Sequence, residues 1–181
     1  TARNRPAPIA IGRDMRITSP MLHSAVEAGI LSAGKDALDL GLVSSPVAEW
    51  ALEKKKAAGL IIVTASHNPP EWNALKFVDA QGVAVSHERG EEIEKMAIAK
   101  KFKRAEWDRV GGKNEWTDAT ATHVKTVLAS VDAAKIKKKQ RAFKSKFGLV
   151  DALHLATAKQ HAATFITVDN DFAGIENVII I

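Results

Sequence analysis

The sequence predicts an α/β fold, in which a mostly parallel sheet lies between two layers of helices to give a three-layer αβα domain. In the first half of the chain, short apolar runs alternate with segments whose apolar residues recur at helical spacing. This alternation is typical of parallel strands joined by covering helices. The pattern returns near the carboxyl end, so we expect a C-terminal αβ fragment that is packed on or joined to the same sheet.

The first strand is predicted at residues 8–11, and a helix follows it. Ser19 is placed to cap that helix, and Pro20 suits the first helical position because its missing N–H would be unpaired there in any case. The apolar residues of this helix recur at helical spacing, at Leu22, Val26 and Ile30. Gly34 is well placed to end the helix.

The same order of signals then repeats. Residues 38–43 are predicted to form a second strand, the Ser-Pro pair at 45–46 opens a second helix, and residues 60–64 form a third strand. The expected unit is βαβαβ with right-handed crossovers. In open sheets of this kind, ligands gather at the carboxyl ends of the strands, where Arg13 and Ser66 fall.

The middle of the chain is predicted to add a hairpin and two helices. Residues 74–78 and 83–85 flank a turn that contains Asp and Gly, which is typical of a β-hairpin. Helices are predicted at 88–101 and 118–131. Between them, residues 111–114 (Gly-Gly-Lys-Asn) indicate a turn, and they lack the upstream glycine and the following Ser or Thr of a P-loop.

The end of the chain is again predicted to be α/β. A helix is expected over residues 149–161, with strands over 164–168 and 178–181. Residues 135–146 before it carry seven Lys or Arg and no acidic residue, and so hold much of the net charge of +5. This basic segment is either a phosphate-binding patch or a solvated helix face and linker.

The amino-acid composition limits the cellular compartment in which we expect the protein and the kinds of binding site that it can contain. The chain has 181 residues and no cysteine, which excludes disulfides and cysteine-based zinc sites and favours a reducing cytoplasm. No stretch approaches the roughly 20 apolar residues of a membrane helix, and the N-terminus lacks the pattern of a secretory signal. We therefore expect a soluble cytoplasmic protein without a membrane partner.

The segment with the clearest chemical potential is residues 64–70 (Thr-Ala-Ser-His-Asn-Pro-Pro), here called the serine loop, which follows the third predicted strand directly. A serine carries phosphate when hydrogen-bond donors hold the phosphate and a nearby group handles the acceptor's proton. Ser66 has such neighbours in His67, Asn68 and Lys76. The alternative is a rigid strand-exit turn in which Ser66 is only a local cap.

Several motifs here resemble domain I of the phosphoglucomutase/phosphomannomutase family of phosphohexose mutases, over about residues 9–139. The matching segments are 12–16, 19–22, 39–43, 64–70, 72–76 and 102–107. The resemblance implies that Ser66 is phosphorylated in the active enzyme, with Lys76 as the proton-transfer group, His67 and Asn68 supporting the loop, and Arg13 as further loop support. It also implies Mg²⁺ on the phosphoserine and a hexose phosphate, of glucose or mannose, as substrate.

The chain departs from this family pattern in three places. It lacks the glycine-rich opening segment with its arginine, the Asp-Gly-Asp-Gly-Asp loop that holds the metal, and room for the later sugar-recognition and phosphate-clamp domains. We therefore expect an incomplete mutase that is inactive alone. Sheet edges left open in so short a chain favour self-association into a homo-oligomer.

The C-terminal residues 147–181 resemble the closing portion of PIN-domain ribonucleases, in the segments 149–158 and 165–172. In that family carboxylates hold Mg²⁺ or Mn²⁺, which activates water against an RNA phosphodiester. Asp151 and Asp169 match two of the carboxylate positions, and Asp171 lies beside them. Helix-dipole and turn-capping roles explain the same acids without any metal.

Two partial resemblances that meet near residue 140 suggest a chimera, either an engineered recombination or a natural fusion. The predicted organisation is a mutase-like α/β unit over 1–139, a basic linker over 140–146, and a PIN-like fragment over 147–181 that merges with the first unit. Three functions remain open: a mutase domain, a metal-dependent ribonuclease, and a folded chimera without catalysis.

Overall fold

A computed structural model describes residues 6–132, 135, 155, 157–158, 164–167, 174 and 178–180. The chain divides into two compact units, Thr1–Lys125 and Thr126–Ile181. The elements in chain order are β1 (Ile9–Arg13), α1 (Ser19–Ser32), β2 (Ala37–Leu42), α2 (Ser45–Lys55), β3 (Gly59–Val63), β4 (Leu75–Val78), α3 (His87–Ile98), β5 (Lys113–Glu115), α4 (Ala119–Ser130), β6 (Phe165–Thr167) and β7 (Val178–Ile180).

The first unit contains a five-stranded sheet in the order β4-β3-β1-β2-β5. β1 lies at its centre and pairs in parallel with β2 and β3, β5 pairs in parallel with β2, and β4 is antiparallel to β3. The predicted mostly parallel α/β sheet is thus confirmed. The register pairs Arg13 with Val63, so β1 and β3 end side by side.

The two faces of this sheet are covered by different helices, because successive side chains of a strand point to opposite faces. Ile11 and Ala37 are buried on one face with Ile30 of α1. Ala10 and Leu38 are buried on the other face, with helix α2. The α2 residues of that cluster are Val47, Ala48, Ala51 and Leu52. This is the three-layer arrangement that the sequence predicted.

The start of α1 differs from the prediction in one respect. Pro20 lies in the first turn as expected, but the N-cap residue is Thr18, and no side chain caps the helix. Ser19 is fully buried, and its hydroxyl donates to Oδ1 of Asp14 at 2.5 Å. The predicted capping role of Ser19 is wrong because the Asp14 carboxylate takes its hydrogen bond.

The predicted turn at residues 111–114 is in part the short strand β5. Gly111 packs against the end of α1, where its N–H donates to the Leu31 carbonyl at 2.9 Å. The next N–H, of Gly112, donates to Oδ1 of Asp36 at 2.6 Å. These contacts position Lys113 opposite Ala37, where the parallel pairing of β5 with β2 begins.

In the C-terminal unit, strands lie within both predicted segments. β6 and β7 pair in parallel with each other, Phe165 opposite Val178, in a two-stranded sheet of their own. The predicted basic linker at 140–146 lies outside the described residues. Among the described helices, none is long and apolar enough to cross a membrane.

Candidate active site

The serine loop leaves β3 through a tight turn. Ser66 N–H donates to Oγ1 of Thr64 at 3.0 Å, and Asn68 N–H donates to the Ala65 carbonyl at 3.0 Å. Ser66 adopts φ +55°, a left-handed conformation that few residues other than glycine take. Such strain persists only where surrounding contacts enforce it, and it concentrates at functional sites.

The contacts that enforce this conformation come mainly from Arg16. Its guanidinium donates to four carbonyl oxygens, those of Ser66 (3.0 Å), Asn68 (2.7 Å), Pro69 (2.6 Å) and Trp72 (3.0 Å). The side chain is only 11% exposed. One planar cation thereby holds the backbone of the whole loop from beneath, which the fixed fork of donors on arginine allows.

Asp14 in turn fixes Arg16. Oδ2 of Asp14 accepts from Nε of Arg16 at 3.1 Å, and Oδ1 accepts from the Arg16 N–H at 3.0 Å. Burial alone would raise the pKa of Asp14, but hydrogen bonds from Ser19, Arg16 and Thr64 outweigh it and lower the pKa below its ordinary value. Asp14 is therefore a carboxylate at neutral pH and balances the guanidinium charge.

Asn73 fastens the chain just beyond the serine loop to the start of α1. Its amide nitrogen donates to Oγ1 of Thr18 and to Oγ of Ser19, both at 2.9 Å. Its carbonyl oxygen accepts from the Ala74 N–H at 2.9 Å. The serine loop is thus held by the exit of β1, by the start of α1 and by its own turn.

The reactive side chains of the loop face solvent. Oγ of Ser66 lies 3.4 Å from Nδ1 of His67, and both residues are exposed. Ser66 borders an open depression of about 510 Å³. Its lining residues are Asp14, Met15, Arg16, Ile17, Thr64, Ser66, Asn68 and Pro70. A ligand can reach the Ser66 hydroxyl without any movement of the loop.

Comparison with known proteins supplies the family. Residues 1–104 match the model of the phosphoglucomutase/phosphomannomutase alpha/beta/alpha domain I. This chain belongs to the phosphoglucomutase/phosphomannomutase family. Residues 94–178 also match the PIN domain model, in agreement with the two-part resemblance seen in the sequence.

The matched relatives are longer proteins. A phosphoglucomutase/phosphomannomutase of Thermococcus kodakarensis is 34% identical over 138 residues, which are 76% of this chain and 30% of that protein. A probable phosphoglucosamine mutase of Pyrococcus abyssi is 41% identical over 57% of this chain and 23% of that protein. The chain thus spans less than a third of the length of these relatives.

Solved structures agree with this assignment. A phosphoglucomutase/phosphomannomutase family protein of Burkholderia thailandensis superposes with a TM-score of 0.57 at 26% identity, over 64% of this chain and 26% of that chain. A putative phosphomannomutase of Thermus thermophilus gives a TM-score of 0.60 at 24% identity, over 72% and 29% of the two chains, and supports the fold alone.

The other residues that the sequence predicted as site residues either make contacts away from the Ser66 hydroxyl or lie outside the described residues. Lys76 lies on β4, and its ammonium is 3.1 Å from Oε1 of Glu49 on α2. Among the described residues, no hydrogen bond joins Lys76 to Ser66 or His67. Arg13 donates to the carbonyl of Asp14 at 3.3 Å. The carboxylates of the PIN-like alternative, Asp151, Asp169 and Asp171, lie outside the described residues.

Sequence reasoning missed four residues that hold the loop, namely Asp14, Arg16, Ser19 and Asn73. All four lie inside segments that carried the family resemblance, but none was assigned a role in holding the loop. The spacing of Asp14, Arg16 and Ser19, a few residues after the first strand, was the available signal. What it did not disclose was that Arg16 would reach a loop about 50 positions away.

Mutases of this family generally use a metal ion, so the donors around Ser66 are relevant. Among the described residues, Asp14 is the only carboxylate that lines the depression, and it already accepts bonds from Arg16 and Ser19. A divalent magnesium ion requires several free oxygen ligands. The described residues of the loop therefore do not form a magnesium site by themselves, and a phosphate on Ser66 would be the ligand that they contribute.

The lowered pKa of Asp14 makes a pH-dependent contribution to stability. Because the folded-state pKa lies below the unfolded value of about 3.9, the contribution is present above that pH and is lost as the pH falls through the folded value. We expect Asp14→Asn to unfold at lower urea concentration than wild type at pH 7, with the difference shrinking near pH 3. Urea denaturation at both pH values measures this. Glu94→Gln, on the exposed α3, is the control, and an equal loss in Asp14→Asn at both pH values contradicts the prediction.

Proposed function

We propose that this domain I unit carries the phosphoserine of a phosphohexose mutase, with Ser66 as the phosphate carrier toward hexose phosphates. The single observation that supports this most directly is the Arg16 guanidinium, which holds an exposed serine in a left-handed conformation. It does so through three carbonyls of the serine loop and that of Trp72 just beyond it. An ordinary strand-exit turn needs no such device. Membership of the family gives the same expectation for this loop.

The loop geometry suits a phosphate on Oγ of Ser66. Because the loop carbonyls point to Arg16, they do not face the phosphate oxygens and do not repel them. The N–H of His67 donates to no described residue, so it is available to a phosphate oxygen, and the imidazole lies beside Oγ. Backbone donors of this kind bind anions well in tight turns.

In the proposed transfer, a sugar hydroxyl attacks the phosphorus of phosphorylated Ser66. A new sugar O–P bond forms, the Ser66 Oγ–P bond breaks, and the electron pair stays on Oγ. Lys76 is the candidate proton carrier: its ammonium gives a proton to Oγ, and the proton of the sugar hydroxyl replaces it. Transfer of the other phosphate of the bisphosphate back to Oγ of Ser66 then completes the isomerisation.

We further propose that this unit is incomplete by itself. It spans 30% of the Thermococcus mutase and 23% of the Pyrococcus protein. The described residues around Ser66 do not enclose a sugar-binding pocket, since the depression is open. The exposed apolar side chains that line it are Met15 and Ile17. Sugar recognition and the clamp on the distal phosphate, which turnover requires, would have to come from residues beyond this unit or from another chain. A single transfer to Ser66 requires only the serine loop, a phosphate donor and Mg²⁺ held by the donor's phosphates.

The test is phosphorylation of the whole 181-residue chain. After incubation with glucose 1,6-bisphosphate and Mg²⁺, intact mass and peptide mapping are expected to find one phosphate on Ser66. Ser66→Ala should abolish it, whereas Ser24→Ala, an exposed serine of α1, should leave it unchanged. Absence of phosphate on Ser66 in a chain with native circular dichroism overturns the proposal. A coupled assay with glucose 1-phosphate and mannose 1-phosphate then measures turnover, which we expect to be absent or slow.

The match of residues 94–178 to the PIN domain model favours one second candidate, a ribonuclease dependent on Mg²⁺ or Mn²⁺. Asp151, Asp169 and Asp171 would be its metal ligands. Cleavage of single-stranded RNA that requires Mn²⁺ and is lost in Asp151→Asn supports this function. Cleavage that is equal in Asp151→Asn and wild type removes it, and inactivity in both assays leaves a folded chimera without catalysis.

A further inference from the structure

A second cluster of polar side chains lies on the α1 face of the sheet and shares no residue with the serine loop. His23 and Glu27 lie one helical turn apart on α1, and Asp39 lies on β2 beneath them. One nitrogen and two carboxylate oxygens from these residues all lie within 4.8 Å of one another. This is the spacing of ligands around a single cation.

His23 is the independent sign that the cluster is a binding site. Its side chain is only 8% exposed, and its Nε2 makes no hydrogen bond to any described residue. Oδ1 of Asp39 lies 3.0 Å from Nε2, at ion-pair distance without the alignment of a hydrogen bond. Buried imidazole nitrogens normally take part in a hydrogen bond, so one that lies beside a carboxylate oxygen without such a bond suggests a missing ligand.

The carboxylate of Asp39 is held in place from behind. Oδ1 of Asp39 accepts the Gly41 N–H at 2.8 Å, an outer contact of the kind that orients metal-binding carboxylates. Both acids are largely covered, with Glu27 17% and Asp39 13% exposed. The ligands are therefore preorganised by α1 and β2.

The cluster already contains one cation, the ammonium of Lys113 on β5. Nζ of Lys113 lies 2.9 Å from Oδ2 of Asp39, 3.1 Å from Oε2 of Glu27 and 3.2 Å from Oε1 of Glu115. Hydrogen bonds to Asp39 and Glu27 raise the pKa of Lys113, so it stays charged. Its side chain is 36% exposed, and Glu115 is a third acidic partner, at the surface, so Lys113 can leave the two buried carboxylates.

We propose that His23, Glu27 and Asp39 bind a divalent transition metal of the zinc class, with Lys113 as a displaceable cation that holds the site in the metal-free protein. An imidazole with two carboxylates favours Zn²⁺ or Co²⁺ over Mg²⁺, which prefers oxygen alone. A water molecule completes the tetrahedral set. The metal would connect α1 to β2. The other contact region of α1 is its N-terminus, where Thr18 and Ser19 accept hydrogen bonds from Asn73, just beyond the serine loop.

The test is titration of the full chain with Co²⁺, followed by its visible absorption, and with Zn²⁺ by calorimetry. We expect one equivalent to bind, with binding lost in His23→Ala and weakened at least tenfold in Glu27→Gln. His87→Ala is the matched control, because His87 and Glu91 form an exposed pair at the same helical spacing on α3. It should bind as wild type does.

Lys113→Met separates this proposal from a purely structural ion cluster. With the competing ammonium removed, cobalt affinity should rise about tenfold, on the scale of outer contacts at metal sites, whereas a structural cluster would only lose stability. The proposal is overturned if the wild-type protein gives no cobalt spectrum. It is also overturned if folded His23→Ala or Glu27→Gln gives an unchanged spectrum, or if Lys113→Met shows no gain of affinity. Melting curves in the absence of metal establish that each variant is folded.

Discussion

Replacing Arg16 by alanine is expected to lower the free energy of unfolding by about 3 kcal/mol, the scale for removing one partner of a largely buried ion pair. The change removes four bonds to loop carbonyls and leaves the carboxylate of Asp14 without its cation. Without these hydrogen bonds, the left-handed conformation of Ser66 at φ +55° is no longer stabilised. We therefore also expect phosphorylation of Ser66 to slow by at least tenfold.

Arg16→Lys is the informative partner variant. Lysine keeps the charge opposite Asp14 but cannot reach four carbonyls from a single ammonium. It should recover part of the stability while phosphorylation stays slow. Urea denaturation and the rate of phosphate incorporation from glucose 1,6-bisphosphate measure the two effects separately. If Arg16→Lys restores the rate fully, charge alone matters and the fork has no positioning role.

The position of the serine loop was predictable from sequence, but its support was not. Parallel pairing of β1 with β3 brings the ends of the two strands together, as the Arg13 and Val63 pair does here. That rule brings the end of β1 near the loop but does not decide which arginine, Arg13 or Arg16, contacts it. Only the turn after β1, fixed by Asp14, decides that Arg16 reaches the loop carbonyls while Arg13 donates to its neighbour.

β5 escaped prediction for a different reason. Its three residues, Lys113–Glu115, are all polar and exposed, so no apolar alternation marks them as a strand. They pair with β2 because Gly111 docks on the end of α1. The cluster of His23, Glu27 and Asp39 depends on the same register, since it is β5 that places Lys113 over Asp39.

Gly111→Ala is therefore expected to be the most damaging conservative change in the described part of the chain. A Cβ at this position would lie 1.8 Å from the carbonyl oxygen of Lys35 and 3.2 Å from Cα of Leu31. These are backbone atoms of α1 and of the turn that follows it, so no side chain can rotate away to make room. We expect a loss of about 4 kcal/mol, at the upper end for a single substitution.

Gly29→Ala and Gly90→Ala are the matched controls, because nothing lies within 4 Å of a Cβ at either helical position. Both should be neutral or stabilise by about 0.5–1 kcal/mol through helix propensity. Gly111→Ala should also have effects confined to the neighbourhood of β5. If β5 separates from β2, amide hydrogen exchange should become faster at Ala37, whose N–H donates to the Gly112 carbonyl. The affinity for cobalt should also change, because Lys113 moves. Unchanged exchange at Ala37 would mean that the junction between α1 and β5 tolerates a Cβ, and that this register does not depend on glycine.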